Sequence, residues 1–313
     1  MSPSQLPDQT RLSQVRLRTA DLERALGFYS GTLGFEVLAT DQNNVALSPP
    51  GKDQPLIVLT HDPKAPPRPP RTTGLFHLAI RYPARSDLAA AFLRLARRNY
   101  PLQGASDHIV SEALYLADPD GNGVELYTDR PRSQWSWRNG QIAMSTERLD
   151  LDDLLATATN HSTDSPMPTG TDLGHLHLNV ADLAAAARFY NEFLGLAVTQ
   201  RSYPGALFLS AGGYHHHIAV NTWAGRASPP SNAIGLISYR LEVPEPEVLY
   251  CLRHRAPLLG YQAKTEPAAA AQAPDILQIL DPNGASLEIQ SNKPGDQPNV
   301  FNLQTTHTGA PKS

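Results

Sequence analysis

The chain has 313 residues, of which 41% are hydrophobic and 18% are charged, and its formal net charge is −4. This length allows two domains with separate cores, and the composition is ordinary for a globular protein. The small negative charge gives no electrostatic case for binding nucleic acid or an anionic membrane. The single cysteine, Cys251, excludes an internal disulfide and a cysteine-clustered metal site. The N-terminal MSPSQLPDQT has no apolar signal-peptide core and no apolar run is long enough to span a membrane, so a cytoplasmic location is expected.

Two distant stretches of the chain resemble each other. Residues 15–38 match residues 176–199 without a gap, at an offset of 161 positions. A second match, at the same offset, joins FHLAIRYP, which starts at residue 76, to ISYRLEVP, which starts at residue 237. A third, at an offset of 163, joins DPDGNGVEL to DPNGASLEI. The chain is therefore read as a tandem duplication.

Each repeat begins with an alternating strand, continues with an amphipathic helix and ends in two or three further strands. In the first repeat Asp21 is the predicted helix cap and Gly34 the helix end, and Asp182 and Gly195 take those places in the third. The second repeat predicts a helix over 86–98 and strands near 108–117 and 123–128. The sequence thus predicts an α+β fold of four β-α-β-β-β units, at about 11–61, 72–130, 172–223 and 233–291.

The units divide the chain into consecutive segments. The first pair of units spans 11–130 and the second pair spans 172–291. Residues 131–171 are interpreted as a linker with one packed turn and one short helix. Residues 1–10 and 292–313 are expected to be loose tails.

One acidic residue is conspicuous in the second unit. A DPDGN turn precedes Gly123-Val124-Glu125-Leu126-Tyr127, which alternates like a half-buried strand. Glu125 either faces solvent or lies on the inner face of that strand. A carboxylate on the inner face is costly unless a cation, a hydrogen-bond network or water compensates it.

The four units, with the patterns xHLxLxVxDLxxAxxFYxxxLG and YxxDPxGNxxEL, resemble the vicinal oxygen chelate superfamily. That superfamily contains glyoxalase I, bleomycin-resistance proteins and extradiol ring-cleaving dioxygenases. The resemblance covers nearly the whole chain and is strongest to two-domain bacterial catechol 2,3-dioxygenases. It implies two incomplete barrels, with metal-ligand positions near the start of a unit's first strand and on its last strand.

Those positions can be compared across the four units. The first strands present Gln14, His77, His175 and Ser238, and the last strands of the second and fourth units present Glu125 and Glu288. The resemblance implies Fe(II), with Mn(II) as the alternative, held by two histidines and one carboxylate. Only the second and third units supply that set. We therefore expect His77, Glu125 and His175 to be the ligands, in a barrel built by units two and three. Units one and four would form a metal-free barrel, with Glu288 a structural relict.

The resemblance also implies residues around the metal. Ring-cleaving relatives carry a tyrosine ten residues before the ligand glutamate, which corresponds to Tyr115. They carry a histidine on the last strand of the partner unit, which corresponds to His216, and one upstream of the tyrosine, for which His108 is the candidate. Strand alternation would place His215 and His217 on one face and His216 on the other. His177 shares a strand face with His175 and is the rival ligand.

The implied function is an extradiol dioxygenase that cleaves a catechol-type aromatic diol with O2. His216 would act as the acid/base and Tyr115 would hydrogen-bond the substrate. Two alternatives stay open. A glyoxalase-like isomerase or thiol transferase would typically complete the metal sphere with a fourth protein ligand, and a bleomycin-resistance-like protein would bind a small molecule without metal. Nucleic acid and membrane are not expected partners, and the sequence leaves homo-oligomerisation open.

Overall fold

The computed structural model describes residues 5–158, 166–266 and 276–292. The first unit contains β1 (Arg11–Thr19), α1 (Leu22–Phe28), a π-helical turn (Tyr29–Leu33), β2 (Glu36–Thr40), β3 (Asn44–Ser48) and β4 (Ile57–His61). The second contains β5 (Gly74–Arg81), α2 (Arg85–Arg97), β6 (Gly104–Asp107), β7 (Ser111–Ala117) and β8 (Gly123–Asp129). The connecting segment contains a 3₁₀ turn (Arg132–Gln134), β9 (Trp137–Arg138), β10 (Gln141–Ile142), β11 (Glu147–Arg148) and α3 (Leu151–Ala156).

The third and fourth units repeat the order of the first two. The third contains β12 (Asp172–Asn179), α4 (Leu183–Ala187), a π-helical turn (Arg188–Phe193), β13 (Ala197–Gln200), β14 (Ala206–Ser210) and β15 (Ile218–Asn221). The fourth contains β16 (Gly235–Val243), α5 (Glu247–Leu258), β17 (Ala263–Glu266), β18 (Ile276–Leu280) and β19 (Ser286–Ser291).

The strands form two large curled sheets, each an incomplete barrel made by two units. One sheet has the order β17-β18-β19-β16-β1-β4-β3-β2, so it joins units four and one. The other has the order β11-β6-β7-β8-β5-β12-β15-β14-β13, so it joins units two and three. At each junction the first strands of two units pair antiparallel, β1 with β16 and β5 with β12. The crossed pairing expected from the ligand positions is confirmed.

The predicted helix signals of the first and third units are confirmed. The side chains of Asp21 and Asp182 accept hydrogen bonds from the backbone N–H groups of Arg24 and Ala185, at 3.0 and 2.7 Å. Gly34 and Gly195 follow the π-helical turns with φ of 96° and 88°, a left-handed conformation that favours glycine.

The packed turn and the short helix expected in the connecting segment are confirmed as the 3₁₀ turn and α3. The expectation of a loose N-terminal tail is wrong, and the connecting segment does more than link the units. The N-terminal segment is not loose from residue 5 onward, because Leu6 is buried and its N–H bonds the Gly195 carbonyl at 3.0 Å. The connecting segment adds strand β11 to the second sheet beside β6, and it buries Trp135 and Ile142 against Tyr214. These contacts join residues far apart in sequence, so a local sequence pattern could not predict them. The expected tail over 292–313 lies outside the described residues except for Asn292.

A large apolar cluster runs through all four units. It includes Leu17 of β1, Leu78 of β5, Leu176 of β12 and Leu241 of β16, each at most 1% exposed. The four first strands therefore anchor both sheets on buried aliphatic side chains. Among the helices of the described ranges, none combines the length and apolar character needed to cross a bilayer.

Candidate metal centre

Three strands of the second sheet bring the predicted ligands together. Ala79 of the central strand β5 pairs with Glu125 of the parallel neighbour β8 and with His175 of the antiparallel neighbour β12. His77 lies two residues before Ala79, so its side chain points to the same face of the sheet. The methyl side chain of Ala79, fully buried, leaves space on that face for the three larger groups.

The three side chains converge on one carboxylate oxygen. Glu125 Oε2 lies 3.0 Å from His77 Nε2 and 3.1 Å from His175 Nε2. All three side chains are buried. The ligand atoms lie within 4.8 Å of one another, a spacing that permits a shared metal ion. Two imidazoles and one carboxylate are the donor set of mononuclear non-haem Fe(II) sites.

An unpaired imidazole nitrogen and a buried carboxylate charge are both consistent with a bound cation. His77 Nε2 has no hydrogen-bond partner despite its burial, because its contact with Glu125 lacks hydrogen-bond geometry. Burial by itself raises the pKa of Glu125, but His175 and His77 outweigh burial and hold that pKa well below its usual range. Burial lowers the pKa of His175 to about 4, which leaves the imidazole neutral at pH 7, the form that binds metal. The cluster therefore carries a buried negative charge for a cation to compensate.

His177, the rival ligand, already uses its Nε2 atom in a hydrogen bond. The Asn221 side-chain amide donates to His177 Nε2 at 2.9 Å. The orientation of that amide is fixed, since its oxygen accepts the backbone N–H of Trp223 at 3.0 Å. The Nε2 lone pair of His177 is therefore occupied. Among the described residues, the groups of three ligand atoms spaced for one ion do not include His177.

The predicted residues Tyr115 and His108 form a pair beside the ligands. His108 Nδ1 lies 2.7 Å from the Ser145 carbonyl oxygen, and His108 Nε2 lies 2.7 Å from the Tyr115 hydroxyl. A carbonyl only accepts, so in the neutral ring Nδ1 carries the proton and the Tyr115 hydroxyl donates to Nε2. Burial, followed by the charge of Glu125, raises the pKa of Tyr115 well above its ordinary value, so the phenol stays protonated.

The expected alternation in the triple-histidine run is wrong. The strand β15 starts only at Ile218, so the run lies in a turn-rich connection rather than in a strand. His215 and His216 lie side by side, with their Nδ1 atoms 2.7 Å apart. The His216 ring packs 4.1 Å from the His175 ring, centroid to centroid. His217 instead accepts the backbone N–H of Ala211 on Nδ1.

The fourth-unit acid is occupied by a local partner. Glu288 Oε2 lies 2.6 Å from Arg240 NH2. Arg240 pairs across the sheet junction with Gln14, the residue that stands in the first unit where the third unit has His175. An arginine beside the carboxylate supplies the compensating charge in this barrel, which matches the expectation that Glu288 is a structural relict.

A cavity of about 340 Å³ opens above the ligand cluster. Its wall combines the predicted residues with aromatic and connecting-segment residues that the sequence had not singled out. The lining residues are Phe76, His77, Ser106, His108, Val110, Ser111, Tyr115, Glu125, Met144, Thr146, His175, His177, Tyr203, Phe208, His216 and Trp223. Met144 and Thr146 were missed because residues 131–171 were interpreted as a linker. The apolar stretch Ile142-Ala143-Met144 was a signal in the sequence that could have placed Met144 in a packed position.

The fold and the site together define a two-barrel protein with a candidate mononuclear metal centre. The Glyoxalase/Bleomycin resistance protein/Dioxygenase superfamily matches residues 11–126 and 172–289, and the chain belongs to this superfamily. The crystal structure of glyoxalase I from Zea mays shares the fold, with a TM-score of 0.57 at 16% identity, over 91% of this chain and 93% of that chain.

Two curated relatives are similar in sequence. Catechol-2,3-dioxygenase of Bacillus subtilis (strain 168) is 43% identical over 260 residues, which cover 81% of this chain and 90% of the relative. Biphenyl-2,3-diol 1,2-dioxygenase 3 of Rhodococcus globerulus is 32% identical over 146 residues, which cover 42% of this chain and 71% of the relative.

Proposed function

We propose that this protein is an extradiol dioxygenase that cleaves a catechol-type aromatic diol with O2 at an Fe(II) ion held by His77, Glu125 and His175. The observation that carries the proposal is the convergence of two imidazole nitrogens on one buried carboxylate oxygen at the base of the cavity. The 43% identity to a protein named catechol-2,3-dioxygenase supports the same reaction. Mn(II) is the alternative ion, since the same donor set accepts it.

Side chains around that ion would bind the substrate and transfer its proton. Fe(II), when bound, would supply Lewis acidity and electronic coupling between the diol and O2. Tyr115, held protonated by burial, donates its one proton to His108, which fixes the hydroxyl, so its oxygen would accept a hydrogen bond from a substrate hydroxyl. Burial lowers the pKa of His216 well below its ordinary value, so its neutral ring could accept a proton from a substrate hydroxyl.

The alternatives have less support. A glyoxalase-like isomerase or thiol transferase would typically need a fourth protein ligand, and the group that contains Glu125 has three members among the described residues. A metal-free binding protein would leave the buried charge of Glu125 uncompensated. We further propose a cytoplasmic location, where the exposed free thiol of Cys251 would stay reduced.

Anaerobic loading with Fe(II), followed by catechol and air, tests the function. We expect one iron per chain and formation of a yellow ring-fission product with consumption of one O2 per diol. Loading with Zn(II) in place of Fe(II) is the control, since Zn²⁺ has no redox chemistry and should give no product. Iron bound without turnover of any diol in a broad panel would contradict the proposal.

The wall of the cavity predicts a preference for uncharged diols. Among the lining residues in the described part of the chain, none is lysine or arginine, while Phe76, Phe208 and Trp223 are aromatic. A carboxylate on the substrate would lose its water there without gaining a counter-ion, at a cost of several kcal/mol. We expect kcat/KM for 4-methylcatechol to exceed that for 3,4-dihydroxybenzoate by at least about 10²-fold. Oxygen uptake measures both substrates on one scale, and equal values would contradict this prediction.

A further inference from the structure

A chain of hydrogen bonds links the cavity to an acid that the proposed chemistry does not use. His216 lines the cavity, and its Nδ1 lies 2.7 Å from Nδ1 of His215. His215 is fully buried, and its Nε2 lies 3.0 Å from Asp129 Oδ1. Asp129 ends strand β8, the strand that carries Glu125. The hydrogen bonds thus run from the Asp129 carboxylate through the imidazoles of His215 and His216 to the cavity.

The direction of the hydrogen bonds is fixed at Asp129. Arg81 NH1 lies 2.9 Å from Asp129 Oδ2, and the Tyr214 hydroxyl lies 3.0 Å from the same oxygen. Burial by itself raises the pKa of Asp129, but the hydrogen bond from His215 and the charged Arg81 beside the carboxylate outweigh burial, so the pKa lies below its ordinary value. Asp129 is therefore a carboxylate, which accepts hydrogen bonds and donates none.

The positions of the protons follow from that direction. His215 must carry a proton on Nε2 in order to donate to Asp129. Nδ1 of the neutral ring therefore accepts, so Nδ1 of His216 must donate to it.

We propose that Asp129 and His215 are positioning residues that hold His216 in the tautomer with its proton on Nδ1 and with Nε2 bare. No described residue forms a hydrogen bond with His216 Nε2, so that nitrogen is available to a ligand in the cavity. The inference rests on the proposed function, because it assigns His216 the role of accepting the diol proton on Nε2. Asp129 and His215 act only through His216.

A second arrangement of the same side chains must be distinguished from this one. His175, His215 and His216 also have ligand atoms within 4.8 Å of one another, a spacing that could hold a metal ion. A metal at that place would need bare nitrogens on both His215 and His216, so the Nδ1–H bond between them could not exist. The two arrangements therefore predict different metal counts and different proton positions.

Asp129→Asn tests the inference without changing the size of the side chain. The guanidinium of Arg81 has only donors, so it would keep the oxygen of the new amide, and the amide NH2 would face His215 Nε2. That nitrogen would then have to accept, which would reverse both imidazoles and move the His216 proton from Nδ1 to Nε2. We expect kcat to fall by about 10²-fold, with KM changed by less than about threefold.

Two measurements separate positioning from a general structural effect. Long-range ¹H–¹⁵N correlations on the full-length, histidine-labelled chain loaded with Zn(II) report the tautomer directly and do not depend on turnover. We expect the Nδ1–H pattern for His216 in the wild type and the Nε2–H pattern in Asp129→Asn, with one metal per chain in both. Asp172→Asn is the matched control, because Asp172 bonds the same Arg81 at 2.8 and 2.9 Å but is no partner of His215.

The outcomes decide between the inference and the proposed function. An unchanged His216 tautomer in Asp129→Asn, or two zinc ions per chain with His215 and His216 bound to metal, would overturn the inference. An equal loss of kcat in Asp172→Asn would also overturn it. If the tautomer reverses as expected but the wild-type protein cleaves no diol, the positioning of His216 stands and the proposed function fails.

Discussion

Replacement of His77 by alanine is expected to abolish turnover and to release the metal. The His77 imidazole is one of three donors that face the candidate ion, and the nearby carboxylate would be left with His175 alone. A catalytic metal contributes several kcal/mol to transition-state stabilisation, so we expect kcat/KM to fall by at least about 10³-fold. Metal analysis after gel filtration should show less than one ion per chain, and product formation should be undetectable at the wild-type enzyme concentration.

The repeat supplies a matched control for this substitution. Ser238 occupies the position in the fourth unit that His77 occupies in the second, and it is also buried. Ser238→Ala should leave kcat/KM and the metal content unchanged, because the barrel of units one and four is not the proposed site. Full activity of His77→Ala, or a full complement of metal bound by other residues, would contradict the proposed ligand set.

The pairing of the units could be predicted because the repeat turns the sequence into an internal alignment. Gln14 and Ser238 stand where the other two units have His175 and His77, so only units two and three supply imidazoles beside an acid. That chemical argument selected the junction of β5 with β12, which the structure contains. The buried position of Glu125 followed from the same reasoning, since an inner-face carboxylate needs a compensating cation.

The surroundings of the ligands could not be predicted in the same way. Their contacts join residues far apart in sequence, such as Asp129 with His215 and Ser145 with His108. Strand periodicity also failed at the histidine run, because it assumed an extended strand where the chain turns before β15. A repeat predicts what the units share, whereas the corresponding positions of the other units do not repeat these residues: Asn292 stands for Asp129 and Gln54 for His215.

Gly174→Ala is expected to disrupt the site without changing a ligand. Gly174 precedes His175 in β12, and a Cβ atom built on it would overlap the hydroxyl of Tyr127 and come within 3.0 Å of its ring carbon Cε1. Tyr127 cannot swing aside, because it is fully buried and its hydroxyl bonds the Tyr214 hydroxyl at 2.7 Å. Overpacking of this kind costs about 3 kcal/mol in the free energy of unfolding.

The strain should also reach the metal. The Tyr127 ring packs 5.0 Å from the His175 ring, so a displaced tyrosine would push the imidazole away from Glu125. A misplacement of about 1 Å can lower a rate by about 10²-fold, and we expect a loss of that size in kcat/KM. Denaturant unfolding and steady-state kinetics measure the two effects separately.

A second substitution and a matched glycine test the cause of that loss. Tyr127→Phe in the Gly174→Ala background removes the overlapping hydroxyl, so the double variant should recover part of the lost unfolding free energy, a coupling that a double-mutant cycle detects. Gly104→Ala, in β6 of the same sheet, places a Cβ with no atom within 4 Å and should change that free energy by less than about 0.5 kcal/mol. If the losses in Gly174→Ala are the same with Phe or Tyr at position 127, the tyrosine hydroxyl is not what excludes a side chain beside His175, and the packing argument is wrong.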